Sequence, residues 1–584
     1  MDRAFDLSKQ QIWIVSHCYD KASGLITNMQ IVIPMSGFGE RFRRAGYEVP
    51  KPLIEIDGKP VIAHVIDMFP GEQEFIFICN QDHLNQTDYR MEAILHEYCP
   101  TGRVIGIPAH KLGPIHAVRQ VGNLIDQERP VIVNYCDFTC YWDWHHFKQF
   151  VAANQCVGAI PAYKGFHPHS LGSTNYAYLR EANGWVKDIQ EKQPFTNNRM
   201  AEYASSGTYY FSSGKIMIEA FRMTMDQHLN VGGEYYVSLA YKPLLAANQL
   251  VAVYPLQHFM QWGTPEDVAE YKVWSLAFRR LMSDTNKVMK PNGSLVIPMA
   301  GLGQRFVNEG YNVAKPLIAV SGKPMVAQAT KDLPAAVHHV FVLRSDMPGY
   351  QEISEELKRI YPDAIIKTIP GVTEGQACTA LLGLDALELE MGAVLGPLTI
   401  GACDNGAIYD AKAFQELVDN SEVDVIVWGV RGHANALRHP EMFGWIKAEE
   451  GRIQTISVKK PLESPATDPI VIGTFTFCKA EDYRRVVDHL IARNGRINNE
   501  FYIDTCINDA IELGLRCYLF EIDSYLSWGT PKDLCTFEYW QSCFHKWNSH
   551  PYRMELDGRI PGNQLHRLEV RYQQTIPQLP ESYA

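Results

Sequence analysis

The chain has 584 residues, a length that allows about four ordinary domains or fewer larger ones, and its 46% hydrophobic and 21% charged residues are those of a folded protein. Lys and Arg number 54 against 66 Asp and Glu, a formal charge of −12 with no long basic run, which disfavours broad binding to a nucleic-acid backbone but leaves small anionic ligands open. The 13 cysteines form no CxxC pair and no apolar run reaches the ~18 to 20 residues a membrane span needs, so the expectation is a cytoplasmic protein with reduced thiols and no signal peptide or anchor.

In chain order, residues 1–28 precede the first strong strand pattern and read as an N-terminal extension, with Met29 an alternative start. MQIVIPM begins a series of short β-branched runs, continued by EFIFICN, RPVIVNYCD and CVGAIPAY. Helix-like segments such as KPVIAHVIDMF and DYRMEAILHEY separate them. Strands interleaved with helices imply a mainly parallel mixed sheet covered on both faces, with ligands at the carboxyl ends of the strands.

The series then repeats. IVIPMSGFGERFRRAGYEVPKPLIEIDGKP, from Ile31, returns 264 residues later as LVIPMAGLGQRFVNEGYNVAKPLIAVSGKP, from Leu295. NYCDF and EKQP return 267 residues on as GACDN and VKKP; SGTYYF, GEYYV and WGTPED return at 266 as IGTFTF, NEFYI and WGTPKD. A period this long describes two copies of a whole domain, 29–285 and 293–548, joined by a linker at 286–292 and followed by a tail at 549–584.

After the first strand of each copy comes a glycine-rich turn. Gly37 and Gly39, or Gly301 and Gly303, let a backbone approach a phosphate, while Arg41 and Lys51, or Arg305 and Lys315, can neutralise it. Phe42 stands where a dinucleotide fingerprint would need its third glycine, and the GK[ST] of a P-loop is absent. VIVNYCD ends an apolar strand in Asp137, which places a carboxylate at the ligand crevice as a candidate Mg²⁺ ligand, and Asp404 of IGACD has the same placement.

GxGxRF followed by PKPLI and GKP, together with the terminal WGTPED, resembles the nucleotidyltransferases that join a nucleoside triphosphate to a sugar 1-phosphate or phospho-alcohol. These include the glucose-1-phosphate thymidylyltransferases and phosphocholine cytidylyltransferases, in the branch found in surface-polysaccharide loci. The resemblance spans both copies. It implies two tandem α/β domains of Rossmann-like, GT-A-like form, Mg²⁺ as cofactor, and a nucleoside triphosphate and a phosphorylated small molecule as partners, with no nucleic acid, no membrane and a homo-oligomer left open. By the same resemblance EKQP makes Glu191 a holder of acceptor hydroxyls and Lys192 of the acceptor phosphate. In the second copy Lys459 persists while Val458 replaces the glutamate, so that copy is expected to take a different acceptor or none.

The resemblance also implies a second metal ligand two residues before the glycine of GTPE. Gln261 can offer a carbonyl oxygen there, whereas Ser527 is a poor substitute. A base-reading loop falls at KLGPIHAV and TEGQACTA, making His116 and Gln376 nucleotide-binding candidates, with helix capping as the plain structural alternative. His145, His146, His167 and His169 lack the spacing of a tetrahedral metal set and are expected in ordinary packing. The expected chemistry is attack of an acceptor phosphate on the α-phosphorus with loss of pyrophosphate, and Arg41, Lys51 and Lys192, or Arg305, Lys315 and Lys459, supply the charge stabilisation. The first copy is the more complete and is favoured as the enzyme, with the second a binding or regulatory module. Two catalytic copies, a CTP-dependent cytidylyltransferase, a nucleotide-sugar glycosyltransferase and a non-catalytic nucleotide-binding protein are the alternatives.

Overall fold

The computed structural model describes residues 19–20, 25–26, 28–283 and 290–571. The expected N-terminal extension and linker therefore lie largely outside the described residues. The chain divides into two compact units, the first ending at Tyr271 and the second beginning at Lys272.

Unit 1 is built on one ten-stranded sheet. Arg103–Ile107, Glu74–Asn80, Gln30–Met35 and Val131–Asn134 lie side by side and parallel. Beyond them Thr208–Phe211 runs antiparallel to Val131–Asn134 and to Gly158–Tyr163. Val251–Leu256 then runs parallel to Gly158–Tyr163, and Trp185–Glu191, Ala177–Ala182 and Tyr203–Ser205 close the sheet antiparallel. The fully buried apolar runs Ile31–Ile33 and Val131–Val133 are the central strands expected of a sheet covered on both faces. The helices Pro114–Gln120 and Gly214–Asp226 bury Ile115, Val118, Met217 and Phe221 in the same core.

Unit 2 repeats this plan in nine strands. Ile365–Ile369, His338–Arg344, Ser294–Pro298 and Leu398–Ile400 are parallel, and Ile470–Phe477 turns the direction. Val425–Val430 and Cys517–Glu521 follow as a parallel pair, then Arg452–Val458 and Gly444–Glu449 antiparallel. Residues past 548 pack on this unit: Tyr552 is fully buried, accepts from Gln541 Nε2 at 3.0 Å and donates to Asp557 Oδ2 at 2.8 Å. Arg559 pairs with buried Asp332 at 2.6 Å.

The expectation of a mainly parallel sheet needs correction. Each sheet is parallel in its first half and mostly antiparallel in its second, where one neighbouring pair in each unit is joined by a tight hairpin instead of a crossover helix. Asn183 and Gly184, with φ of 53° and 82°, join Ala177–Ala182 to Trp185–Glu191; Glu450 and Gly451, with φ of 48° and 81°, do the same in unit 2. Two successive positive-φ residues are what a two-residue hairpin turn requires, and Asn-Gly supplies them at little cost.

Candidate active sites

The parallel half of each sheet delivers the glycine-rich turn. In unit 1 it joins the strand Gln30–Met35 to the short helix Glu40–Arg44, and Gly39 takes φ 62°; Gly303 takes φ 65° in the equivalent turn of unit 2. A methyl added at Gly37 or Gly39 would meet nothing within 4 Å, so both face open space. Around Gly301 and Gly303 a pocket is lined by Phe306, Lys315 and Arg344 among others. Buried Arg344 fixes this turn by donating from Nη1 to the carbonyls of Ala300 and Gly301 at 2.8 and 3.1 Å. Asn80 ends the corresponding strand of unit 1 and caps Asp82 instead.

Lys51 and Asp137 come together. Lys51 Nζ donates to Asp137 Oδ2 at 2.8 Å, both side chains about three-quarters covered, and Lys315 makes the same bond to Asp404. Burial alone would weaken each ammonium, but the facing carboxylate and the neighbouring cysteine outweigh it, so both lysines are held above the usual lysine range. Arg41 is near enough to Lys51, and Arg305 to Lys315, for like charges to oppose one another, which gathers three cationic or anionic groups at each turn.

The strands His258–Gln261 and Phe138–Tyr141 pair so that Gln261 faces Phe138, and Trp262 N donates to the Asp137 carbonyl at 2.9 Å. The Gln261 amide nitrogen and Asp137 Oδ2 thereby converge over Gly263, lying 2.4 and 3.1 Å from where its Cβ would be, so the Gln261 amide would have to turn to offer its oxygen. Any larger residue at 263 would push the two apart. In unit 2 Ser527 faces Asn405, and Asp404 and Ser527 approach Gly529 at 3.3 and 3.9 Å on the same measure. Next to each glycine the GTP motif starts a helix: Thr530 and Asp533 form a reciprocal capping box, and Thr264 bonds Asp267 at 2.8 Å.

One carboxylate with an amide or hydroxyl oxygen suits Mg²⁺, which takes few protein ligands and completes its shell with phosphate and water. The three-ligand clusters found among the described residues, His489–Asp509–Glu512 and His545–Glu555–Glu569, lie elsewhere. Three of the histidines singled out from the sequence are used in packing, where His146 bonds Tyr254 at 3.0 Å, His167 the Gln257 carbonyl at 3.1 Å and His169 Tyr163 at 2.9 Å, while exposed His145 meets Gln149 at 3.2 Å.

The loop at Gly113 is sewn to residue 235. Tyr235 N donates to the Leu112 carbonyl at 2.9 Å and Ile115 N to the Tyr235 carbonyl at 3.1 Å. In unit 2 Phe501 N bonds Glu374 at 2.8 Å and Ala377 N bonds Phe501 at 3.1 Å. The equivalence places Gln376 opposite Pro114 and His116 opposite Cys378, so the two candidate base readers occupy different positions. His116 packs edge-on against His110 at 4.7 Å, and burial lowers both imidazoles.

The antiparallel half delivers Glu191, Lys192 and Lys459. Lys192 and Lys459 both sit at φ near 60°, where a non-glycine residue is strained, just after the strands Trp185–Glu191 and Arg452–Val458. The strain is fixed by Lys192 N donating to the Tyr176 carbonyl at 2.8 Å and Lys459 N to that of Phe443 at 3.0 Å. Lys192 Nζ lies 4.4 Å from the Tyr236 ring centre and bonds its hydroxyl, which donates to Glu234. Lys459 Nζ donates to the Met442 carbonyl at 2.8 Å and lies 5.5 Å from the Tyr502 ring. Glu191 accepts from Ser238 Oγ at 2.5 Å. Burial, with some repulsion from Glu234, pushes its carboxyl up to about 7 against the opposing pull of Ser238 and Lys192.

Sequence reasoning did not find Ser238, Tyr236 or Arg344. The signal for the first two lay in the second motif of the repeat: aligning GEYYVSLAY with NEFYIDTCI sets Tyr236 on Tyr502 and Ser238 on Asp504.

Residues 31–238 match the family described as Nucleotidyl transferase. The bifunctional protein GlmU of Bacillus licheniformis is 24% identical over 287 residues, 47% of this chain and 59% of that protein. The catalytic subunit beta of mannose-1-phosphate guanylyltransferase from Drosophila melanogaster is 25% identical over 205 residues, 33% of this chain and 51% of that protein. The chain thus spans a little over half the length of these curated relatives. Among solved structures, a nucleoside-diphosphate-sugar pyrophosphorylase from Vibrio cholerae RC9 is 21% identical, with 42% of this chain and 98% of that one covered and a TM-score of 0.36. Among the described residues no helix is long and apolar enough to cross a membrane.

Proposed function

Starting from a chain whose residues 31–238 match the nucleotidyl transferase family, we propose that each unit is a nucleotidyl-transfer site joining a nucleoside triphosphate to a phosphorylated small molecule, with release of pyrophosphate. The observation that carries this is the coincidence, in both units, of a Lys–Asp pair beside the glycine-rich turn with a second lysine locked at positive φ on the opposite half of the sheet. A strained lysine kept twice has a positioning task that a solvent-facing lysine lacks.

In this reading the triphosphate lies along Gly37 and Gly39, with Arg41 and Lys51 against its charge, and the acceptor phosphate meets Lys192. An acceptor oxygen attacks the α-phosphorus; the new P–O bond forms as the bond to the β-phosphate oxygen breaks, and pyrophosphate carries away the electron pair. The acceptor phosphate is already ionised near neutral pH, so no general base is required. Asp137 with Gln261, and Asp404 with Ser527, are the residues that would hold Mg²⁺, which supplies charge neutralisation on the triphosphate. Lys51 turns the Asp137 carboxylate and balances it. Arg305, Lys315 and Lys459 take the same places in unit 2, with Gly301 and Gly303 as its phosphate turn. His116 and Gln376 line the entry to the loop proposed to face the base.

The named activities of the relatives, on mannose 1-phosphate among others, make a sugar 1-phosphate the first acceptor class to try, and surface-polysaccharide synthesis the corresponding use. The test is pyrophosphate release with Mg²⁺ over four triphosphates and a panel of sugar 1-phosphates and phosphocholine. Turnover with at least one pair supports the reading; transfer from a preformed nucleotide sugar without pyrophosphate, or no turnover with any pair, refutes it.

A further inference from the structure

The acceptor side of unit 2 has lost its strand carboxylate, since Val458 stands where Glu191 does. The structure shows what has taken its place. In unit 1, Glu191 pairs across the strands with Ala177 and its carboxylate meets Ser238. In unit 2, Val458 pairs with Gly444 in the same register, and the position of Ser238 is Asp504. A methyl on Gly444 would lie 2.5 Å from Asp504 Oδ2. The Asp504 carboxylate therefore occupies the volume that a side chain at 444 would fill, directly beside the strand position that lost its acid.

Three residues have changed together: Ala177, Glu191 and Ser238 in unit 1 are Gly444, Val458 and Asp504 in unit 2. The charge has moved from the strand wall to the start of the helix Ile503–Glu512, and the glycine makes room for it. We propose that Asp504 is the acceptor-recognising carboxylate of unit 2, accepting hydrogen bonds from hydroxyl groups of a phosphorylated polyhydroxy acceptor whose phosphate lies on Lys459. This rests on the reading of each unit as a nucleotidyl-transfer site and adds the acceptor chemistry of the second.

Two further observations fit. Asp504 makes no ion pair with another side chain among the described residues, and only a backbone amide and the nearby Lys459 pull against the cost of its burial. Burial raises it to about 6, with the nearby Lys459 opposing, much as Glu191 is raised beside Lys192. Lys459 in turn feels both Asp504 and the glycine-turn Arg305, so the three charges lie within electrostatic reach of one another. A carboxylate entering from the helix side meets a bound acceptor at a different hydroxyl from one entering from the strand, so the two units are expected to prefer different sugar phosphates.

The test uses the full chain with Lys192→Ala, which weakens the acceptor site of unit 1. It is titrated calorimetrically with glucose, mannose, galactose and N-acetylglucosamine 1-phosphates and phosphocholine, in the presence of α,β-methylene triphosphates. The expected result is residual binding of at least one sugar phosphate that Asp504→Asn weakens about 10- to 100-fold, the loss of a hydrogen bond to a charged group. Pairing Asp504→Ser with Val458→Glu rebuilds the unit 1 arrangement in unit 2 and should shift its preference towards the sugar phosphate that unit 1 binds in the unaltered chain. Thermal unfolding of each variant separates a binding loss from a folding loss. Binding unchanged by Asp504→Asn, or no residual binding in the Lys192→Ala chain when the unaltered chain binds, overturns the proposal while leaving nucleotidyl transfer by unit 1 standing. No binding of any acceptor by the unaltered chain refutes the underlying reading as well.

Discussion

Units 1 and 2 keep the same polar skeleton by different means. On the triphosphate side the residues themselves are retained: glycines, arginine, lysine and aspartate recur in register, and the Lys–Asp contact recurs with them. On the acceptor side only the lysine and its strained backbone recur, and the carboxylate has crossed from strand to helix with a glycine making room. On the proposed reading, the difference teaches that a half holding a triphosphate tolerates little change because every triphosphate presents the same charges, whereas a half holding the acceptor can be rebuilt around a fixed phosphate anchor.

The comparison can be broken most forcefully at the aspartates. Asp137→Ala should lower turnover by unit 1 about 100- to 1000-fold, the scale for removing a group that organises charge in the transition state. Steady-state pyrophosphate release checks this, with circular dichroism to confirm the fold. An effect under threefold would remove Asp137 from the site.

Next in size is the loop that each unit builds in the same way. Gly113 has φ 86° and Gly375 φ 137°, and a Cβ at either would lie 2.5 to 2.6 Å from backbone nitrogen of Tyr235 or Phe501. Gly375→Ala should therefore cost about 2 to 4 kcal/mol and lower the unfolding midpoint by roughly 5 to 10 °C. Gly37→Ala, in open space, should change the midpoint by less than about 2 °C. Equal midpoints for the two variants would mean the loop is not sewn as described.

The smallest effect is in pH. Glu191, with Lys192, Glu234 and Ser238 around it, titrates near 7 in the folded chain against an ordinary value of 4.5. Its native carboxyl prefers the proton, so the stability it contributes is complete below about pH 4.5 and lost as pH rises through 7. The acceptor, by contrast, is held best by the ionised form, so acceptor affinity of unit 1 should fall as pH drops below 7. Glu191→Gln is expected to flatten both profiles and to raise the unfolding midpoint at pH 8 by a degree or two, about the effect of ~0.5 kcal/mol in a domain of this size. A midpoint lowered at pH 8 would show that the carboxylate stabilises the fold.

Much of this architecture was legible in the sequence because a repeat of whole motifs leaves constant offsets: the duplication, the glycine turns and the lysine and aspartate pairs could all be located. The antiparallel half was misread because the strand run CVGAIPAY is as apolar as the parallel ones, while the hairpin strands AYLREA and WVKDIQE carry too much polar surface to stand out as strands, and the turn residues Asn183 and Gly184 are their clearest mark. The relocated carboxylate was hidden for another reason. A motif alignment registers Val458 as a loss, while the gain at Asp504 lies 46 residues away and means something only once Gly444 is seen beneath it. Arg344 was invisible because its task, holding the carbonyls of its own glycine turn, has no counterpart in unit 1, where Asn80 stands in its place.

The central claim, that each unit is a working site, is met most directly by pyrophosphate release from the unaltered chain, Asp137→Ala, Asp404→Ala and the double variant over the same matrix of triphosphates and acceptors. The account predicts that each single variant loses a different substrate pair and the double variant loses all turnover. Loss of every activity with Asp137→Ala alone, with Asp404→Ala unaffected for all pairs, would contradict it and leave unit 2 without catalysis.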